Sequence, residues 1–216
     1  MKTIGLFGGT FDPVHNGHLA VARAVLDQLG PALLYFIPAA APPHKSDLVV
    51  TPFAQRLAML RLALQGESRY RVSAMEGERS GPSYTIDTLA AFRTEFGENA
   101  DLFFVIGLDA FAEIGSWKCY RKLLAECSFV VIDRPSHDRR PLEEIVVENF
   151  ADYVRRPDGS WSGPEGKQII SLAMAPMQVS SSLVRETLRQ GGPVDHLIPP
   201  LVVRYLHEQG LYRIEG

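Results

Sequence analysis

The stretch TIGLFGGTFDPVHNGHLAVA, residues 3–22, decides the fold that the rest of the chain is expected to continue. It begins with the short apolar run TIGLFG, which is typical of a strand buried in a sheet. A glycine turn follows at Gly8 and Gly9, and residues 17–30, GHLAVARAVLDQLG, then carry apolar side chains at helical spacing up to a final glycine. A strand, a glycine turn and a helix in this order predict the first unit of a parallel sheet.

The same alternation of short apolar runs and longer amphipathic segments continues along the chain. Further strands are predicted at LLYFIP (33–38), LFFVIG (102–107), FVVIDR (129–134) and KQIISLAM (167–174). Further helices are predicted at TPFAQRLAMLRLALQG (51–66), SYTIDTLAAFRTEFG (83–97), SSLVRETLRQGG (181–192) and PPLVVRYLHEQG (199–210). In the first of these helices Thr51 is the expected N-cap and Pro52 the first helical residue. The pattern predicts a doubly wound, Rossmann-like α/β fold, a parallel sheet with helices on both faces.

The stretch from Pro135 to Gly166 departs from this pattern. Charges, prolines and glycines surround only a weak helical period in PLEEIVVENFADYV, so we expect an excursion from the sheet. A chain of 216 residues fits one domain, and we expect a single domain over residues 1–216 with a C-terminal helical part at about 180–216.

Composition and charge exclude several classes of protein. The chain is 46% hydrophobic and 22% charged with a formal net charge of −3 and a pI near 6.1, values that argue against a nucleic-acid-binding surface. Because no apolar run is long enough to span a membrane and no signal peptide pattern is present, we expect a cytoplasmic protein without a membrane partner. Cys119 and Cys127 are too few for a disulfide framework, and we expect both to be reduced packing residues. Nothing in the sequence predicts an oligomeric state.

The glycine turn has the features of a phosphate site. In an open α/β sheet it lies at the carboxyl ends of the strands, where ligands bind, and glycines let the backbone approach a ligand closely. Neither G-x-G-x-x-G nor G-x-x-x-x-G-K-[ST] is present, so the turn is neither a dehydrogenase fingerprint nor a P-loop. Instead H-x-G-H spans His15 to His18, with Gly17 allowing a tight start to the helix. The helix N-terminus and two imidazoles together favour a bound anion.

Other interpretations of these residues remain open from the sequence. His15 could simply cap the helix. A zinc pair is disfavoured because no third and fourth ligand accompany the two histidines at suitable spacing. Asp12 could orient a histidine, approach Mg²⁺ or only hold the turn.

GGTFDPVHNGHL resembles the signature of the H-x-G-H nucleotidyltransferase superfamily. Four later blocks extend the resemblance to the bacterial nicotinate-nucleotide adenylyltransferases: PPHK (42–45), GPSYTIDTL (81–89), IGLDAF with a tryptophan (106–117) and SSSLVRETL (180–188). The resemblance implies attack by the phosphate of nicotinate mononucleotide on the α-phosphorus of ATP. The products would be nicotinate adenine dinucleotide and pyrophosphate, a step of NAD biosynthesis. Such a site must mainly align two anions and neutralise their charge.

The resemblance also implies which residues form the site. The implied catalytic residues are His15, His18, Lys45 and Arg185. The residues implied for ATP binding are Gly8, Gly9, Thr10, Phe11, Gly107, Asp109, Ser180, Ser181 and Ser182. The residues implied for acceptor binding are Lys45, Ser83, Tyr84, Thr85, Trp117 and Arg134. No protein residue is expected to hold a metal, because Mg²⁺ is expected to arrive with ATP.

Within the acceptor set, the helix N-terminus at Ser83, Tyr84 and Thr85 would receive the nicotinate carboxylate, and Trp117 would stack on the ring. Within the ATP set, Asp109 would accept hydrogen bonds from ribose hydroxyls. Ser182 stands at the position where the family usually has threonine.

Each of these residues also has a structural interpretation. Lys45 could be a solvated lysine, Trp117 a core residue and Asp109 a cap of the next helix. The serine block could be an ordinary N-cap with Arg185 exposed, and Arg134 could belong to a structural turn.

Alternative functions differ mainly in the acceptor. Phosphopantetheine adenylyltransferase and the cytidylyltransferases share H-x-G-H, but we expect them to lack the SYTIDTL and IGLD blocks. An enzyme acting on nicotinamide mononucleotide would differ only around Tyr84 and Thr85. A sensor that binds a nucleotide without catalysis would not require both histidines, Lys45 and Arg185.

Overall fold

The computed structural model describes residues 2–30, 32–41, 50–133 and 140–212. The strands in these ranges are β1 (Thr3–Gly9), β2 (Leu33–Pro38), β3 (Tyr70–Val72), β4 (Asp101–Gly107), β5 (Ser128–Asp133), β6 (Val154–Arg155), β7 (Trp161–Ser162) and β8 (Gln168–Ala173). The helices are α1 (Asn16–Leu29), α2 (Phe53–Ala63), α3 (Thr85–Phe96), α4 (Leu108–Ala112), α5 (Tyr120–Glu126), α6 (Leu142–Asn149), α7 (Ser181–Arg189) and α8 (Pro200–Glu208). None of the helices in the described ranges has the length and apolarity that crossing a bilayer requires.

One sheet contains all of these strands, in the order β3-β2-β1-β4-β5-β8-β7-β6. The strands from β3 to β8 in this order are parallel, with Leu6 of β1 in register with Tyr35 on one side and Phe104 on the other. From β1 the chain moves outward in one direction, and from β4 it moves in the other. The carboxyl ends of β1 and β4 therefore form the crevice at which open α/β sheets bind ligands. The doubly wound parallel sheet is confirmed.

Two hydrophobic layers cover the two faces of the sheet. On β5, Phe129 and Val131 point into one layer while Val130 and Ile132 point into the other, as the two-residue period of a strand requires. The first layer contains α3, α4, α5 and α6, and the second contains α1, α2, α7 and α8. Because both faces are buried, the central strands are almost continuously apolar.

The predicted elements are largely present, with a correction at the start of α2. Its N-cap is Pro52, whose carbonyl accepts the first helical bond from Arg56, and Thr51 is not the cap. Thr51 instead donates its backbone N–H to Asp12 and its hydroxyl to Tyr212. The Thr51 hydroxyl is therefore engaged with Tyr212 and makes no capping hydrogen bond to α2.

The stretch predicted to leave the sheet partly rejoins it. In its described portion, residues 140–166, α6 buries Ile145 and Val146 in the first layer. The β6–β7 hairpin then extends the sheet antiparallel to β8, with Trp161 paired to Ile169. The expectation of an excursion is wrong for this hairpin.

The two cysteines differ from each other. Both are free, as expected, and Cys127 is buried. Cys119 is exposed at the N-cap of α5, so the prediction of a packing role is wrong for this residue.

Candidate active site

The glycine turn begins within β1. Gly8 and Gly9 are the last two residues of that strand and pair with Ile37 and Pro38 of β2. The prediction of a turn at these two glycines is therefore wrong.

Aromatic packing holds the segment from Gly9 to Asp12 tightly. Phe11 has a φ of 50°, a left-handed conformation that is uncommon for a bulky residue, and its side chain is only 1% exposed. Its ring packs edge-on against Phe7 and against His18, with centroids 5.5 and 4.9 Å away. A Cβ at Gly9 would lie 3.0 Å from this ring, so glycine is needed there for the aromatic ring to close the turn.

The two histidines of H-x-G-H stack on each other at the start of α1. Their ring centroids are 3.7 Å apart, and His15, which is 5% exposed, occupies the N-cap position. A Cβ at Gly17 would lie 2.9 Å from Nδ1 of His15 and 2.9 Å from Cγ1 of Val179. The glycine therefore leaves room for the His15 ring as well as starting the helix.

One hydrogen bond determines which ring nitrogen of His18 carries the proton when the imidazole is neutral. The backbone N–H of His15 donates to Nδ1 of His18 over 3.2 Å. Because Nδ1 is the acceptor, a neutral His18 ring carries its proton on Nε2. His18 can therefore donate from Nε2 to an anion.

Asp12 holds the turn through both carboxylate oxygens. Oδ1 accepts from the hydroxyl of Tyr212 at 2.6 Å, and Oδ2 accepts from the backbone N–H of Thr51 at 3.3 Å. The backbone carbonyl of Asp12 accepts from Nη1 of Arg185 at 2.7 Å. Of the three roles open from the sequence, these contacts assign Asp12 to holding the turn.

Arg56 lies beneath the same turn and was missed by sequence reasoning. It is 1% exposed, and its guanidinium donates to the carbonyls of Thr10, Ala39 and Thr51, each at 2.8 Å. Burial lowers the pKa of Arg56 below its ordinary value, while Asp12 and Tyr212 oppose that change. The one signal in the sequence is an arginine on the face of α2 that also carries Met59 and Leu60.

The start of α7 packs against the turn. Ser180 is its N-cap and accepts from the backbone N–H of Leu183, so the structural interpretation holds for this serine. Ser181 donates to the carbonyl of Pro13 at 2.9 Å, and Arg185 donates to Ser182 at 3.2 Å in addition to its bond with Asp12. Arg185 is half-buried and bonded to the turn. The alternative interpretation, in which Arg185 is an exposed residue after an ordinary N-cap, is therefore wrong.

A cavity of about 400 Å³ opens at the carboxyl ends of β1 and β4. It brings together residues predicted for two different substrates: Gly8, Gly9, Thr10, Gly107, Ser83, Tyr84, Thr85 and Trp117. The sheet edge supplies the glycines and the start of α3 supplies the opposite wall. This is the location that the sequence predicted for a ligand.

The wall at α3 is built on hydrogen bonds to the loop after β2. Ser83 accepts from the backbone N–H groups of Ala40 and Ala41 through its hydroxyl, at 3.1 and 3.3 Å. Tyr84 is the N-cap, so the helix starts at Thr85 facing the cavity. Trp117 packs edge-on against Phe104, half-buried, and also lines the cavity.

Two charged residues of the cavity wall were missed from the sequence. Lys118 lies 4.3 Å above the Tyr84 ring and 3.1 Å from Asp87. Glu76, 9% exposed, accepts from the hydroxyl of Thr88 at 2.7 Å. Because Lys118 directly follows Trp117, its place in the cavity wall could have been predicted from the sequence. No neighbouring residue of Glu76 indicates that it belongs to this wall.

The remaining predicted residues fall into three groups. The histidines, Phe11, the serines of α7 and Arg185 surround the other side of the glycine turn and do not line the cavity. Asp109 is exposed in the first turn of α4, whose N-cap is Gly107, so it does not cap that helix. Lys45 and Arg134 lie outside the described residues.

The chain is similar to known proteins over nearly its whole length. The model of the cytidylyltransferase-like family matches residues 6–187. A probable nicotinate-nucleotide adenylyltransferase of Desulfotalea psychrophila is 40% identical over 214 residues, 98% of this chain and 100% of the relative. Another, of Geobacter sulfurreducens, is 39% identical over 218 residues and covers 100% of both chains.

A solved structure agrees in fold. The Plasmodium falciparum nicotinic acid mononucleotide adenylyltransferase complexed with NaAD superimposes with a TM-score of 0.74 at 23% identity, covering 98% of each chain. The family match and the full-length relatives together show that this chain belongs to the cytidylyltransferase-like family and, within it, to the nicotinate-nucleotide adenylyltransferases.

Proposed function

We propose that this protein transfers the adenylyl group of ATP to nicotinate mononucleotide, releasing pyrophosphate and forming nicotinate adenine dinucleotide. One observation carries the proposal: the glycine turn has the stacked histidines and Arg185 on one side and a cavity bounded by Trp117 and the start of α3 on the other. A site for phosphate chemistry and a site for an aromatic acceptor therefore share one turn.

The reaction needs alignment and charge neutralisation more than proton transfer. The acceptor phosphate is already a nucleophile at neutral pH, so no covalent enzyme intermediate is required. His18 donates from Nε2 to the transferred phosphate, where negative charge develops. The backbone of the glycine turn and the N-termini of α1 and α7 receive the other phosphate oxygens, and Arg185 adds positive charge.

The preference for nicotinate follows from the chemistry of the α3 terminus. The first backbone N–H groups of a helix have no intrahelical partner, and the helix dipole adds partial positive charge there. A carboxylate can accept from these donors, whereas a neutral amide leaves part of the set unpaired. Trp117 offers its face to the pyridine ring.

Mg²⁺ is proposed to enter with ATP, where it would neutralise phosphate charge. Both carboxylate oxygens of Asp12 are engaged in holding the turn, and no cluster of three or more histidine, cysteine or acidic side chains suited to a metal occurs among the described residues. Lys45, Asp109 and Arg134 remain predictions as ligands of the phosphates, the ribose and the acceptor phosphate.

The proposal is tested with a panel of acceptors. Purified protein is given ATP and Mg²⁺ with nicotinate mononucleotide, nicotinamide mononucleotide or phosphopantetheine, and pyrophosphate release is measured. We expect the highest kcat/KM with nicotinate mononucleotide. Turnover only with phosphopantetheine would contradict the acceptor, and ATP binding without turnover on any acceptor would indicate a sensor.

A further inference from the structure

Tyr212 reaches the glycine turn from the far end of the chain. It follows α8 and lies 200 positions from Asp12, yet its hydroxyl donates to Oδ1 of Asp12 over 2.6 Å. The same hydroxyl accepts from Oγ1 of Thr51 at 3.1 Å. The φ of Tyr212 is 63°, a left-handed conformation that persists in a non-glycine residue only where its surroundings hold it.

The carboxylate and carbonyl of Asp12 connect the start of α2 to two segments that the proposed function uses, the glycine turn and α7. Asp12 belongs to the turn that includes Thr10 and Phe11. Thr51, which donates to Oδ2, lies directly before α2, whose Arg56 donates to the carbonyl of Thr10 in the same turn. Arg185, which donates to the carbonyl of Asp12, belongs to α7. The turn and α7 are the segments assigned to ATP, and Thr51 joins the start of α2 to them.

We infer that Tyr212 is a positioning residue for adenylyl transfer: its hydrogen bond to Asp12 sets the geometry of the glycine turn against Thr51 and Arg185. The inference rests on the proposed function. Tyr212 acts through Asp12 and is not assigned a contact with substrate.

The phenol of Tyr212 suits this positioning role because it keeps the proton that it donates to Asp12. Burial raises the pKa of Tyr212 above its ordinary value, and the hydrogen bond to Asp12 raises it further, so the hydroxyl keeps its proton at neutral pH. Asp12 is 5% exposed, so water cannot easily replace the lost donor. An unpaired buried carboxylate oxygen would draw the turn toward another partner.

The hydrogen bonds of Asp12 hold the ATP side of the site and do not include the residues of the α3 wall. Ser83 is bonded to Ala40 and Ala41, and Trp117 packs on Phe104, in the layer on the opposite face of the sheet. A defect at Asp12 should therefore weaken the use of ATP more than the use of the acceptor. General loosening of the fold would affect both.

The test compares Tyr212→Phe with the parent and with Tyr205→Phe, which removes a phenolic hydroxyl from α8 outside the Asp12 contacts. For Tyr212→Phe we expect kcat to fall about tenfold, the size of one lost hydrogen bond to a charged group, with the acceptor KM within about twofold. Tyr205→Phe should match the parent. Thr51→Val, which removes only the donor to Tyr212, should change kcat in the same direction by less.

Binding of a non-hydrolysable ATP analogue, measured by calorimetry, separates this inference from the proposed function. Weaker analogue binding by Tyr212→Phe than by the parent supports the positioning role even if the parent fails to use nicotinate mononucleotide, a failure that would overturn only the proposed function. Parent-like kcat and analogue affinity in Tyr212→Phe would overturn the inference. So would an equal rise in KM for both substrates together with a lowered Tm.

Discussion

His18 enters the first turn of α1 with Nδ1 already engaged by the backbone N–H of His15. The ring also packs edge-on with Phe11 and stacks on the ring of His15. Its orientation is therefore fixed before any ligand binds, which is the condition for a donor to stabilise charge that develops during the reaction.

Replacing His18 by alanine should lower kcat by roughly 100-fold or more, because the lost donor acts mainly in the transition state. The KM values for both substrates should change by only a few-fold, since the glycine turn and helix termini remain. Steady-state kinetics of His18→Ala measure both quantities, with the exposed His196→Ala as the matched control. A near-normal kcat would remove His18 from the mechanism.

At this scale the sequence was informative where the partners are local. H-x-G-H predicted the histidine pair because three positions in one helical turn determine which side chains meet. The role of Asp12 remained open because its partners Thr51 and Tyr212 are 39 and 200 positions away. No local pattern encodes a contact that depends on how α2 and the C-terminal segment pack.

Among the elements, α2 carries a buried arginine that the sequence pattern did not predict. The segment was predicted as a helix, but nothing in its pattern predicted that Arg56 lies on the buried face beside Met59 and Leu60. The guanidinium satisfies three carbonyls from three segments, so it joins the turn, the end of β2 and the start of α2.

Arg56→Met should therefore reduce the free energy of unfolding by roughly 3 kcal/mol or more, because several buried carbonyls lose their donors at once. Arg61→Met, on the exposed side of the same helix, should change it by less than about 0.5 kcal/mol. Urea unfolding followed by circular dichroism gives both values. Equal effects of the two substitutions would contradict the structural role of Arg56.

The elements that sequence patterns missed are the short ones. β3 has three residues, and β6 and β7 have two each, whereas an alternating pattern becomes recognisable only over about four to eight residues. These strands form because the neighbouring strand already presents free backbone groups. Tertiary pairing, rather than local preference, determines them.

For the whole molecule, buried weak acids make stability sensitive to alkaline pH. Burial raises the pKa of Tyr153 to about 12 and the pKa of Cys127 to about 12, and both lie in the same hydrophobic layer. In the unfolded chain a tyrosine loses its proton near about pH 10 and a cysteine near about 8.5. Between these values and about 12 the unfolded state releases protons that the folded state keeps.

The free energy of unfolding should accordingly fall as pH rises above the unfolded pKa values, by about 1 kcal/mol from Tyr153 alone between about pH 8 and about pH 11. Urea unfolding at the two pH values measures the fall. Tyr153→Phe should make it smaller, since phenylalanine has no proton to lose. A free energy of unfolding that stays constant over this range would contradict the prediction.

The separation of the two hydrophobic layers also affects how acceptor preference can change among relatives of this protein. Helices α1 and α7, which hold the histidines and Arg185, belong to one layer, whereas α3 and Trp117 belong to the other. Among the described residues, the glycine turn lies beside both, and Arg56 joins that turn to the end of β2. Acceptor preference can therefore drift through substitutions in α3 or beside Trp117 while the adenylyl-transfer machinery is inherited intact. For the same reason, an inhibitor shaped to the cavity would discriminate between relatives more sharply than one that mimics ATP.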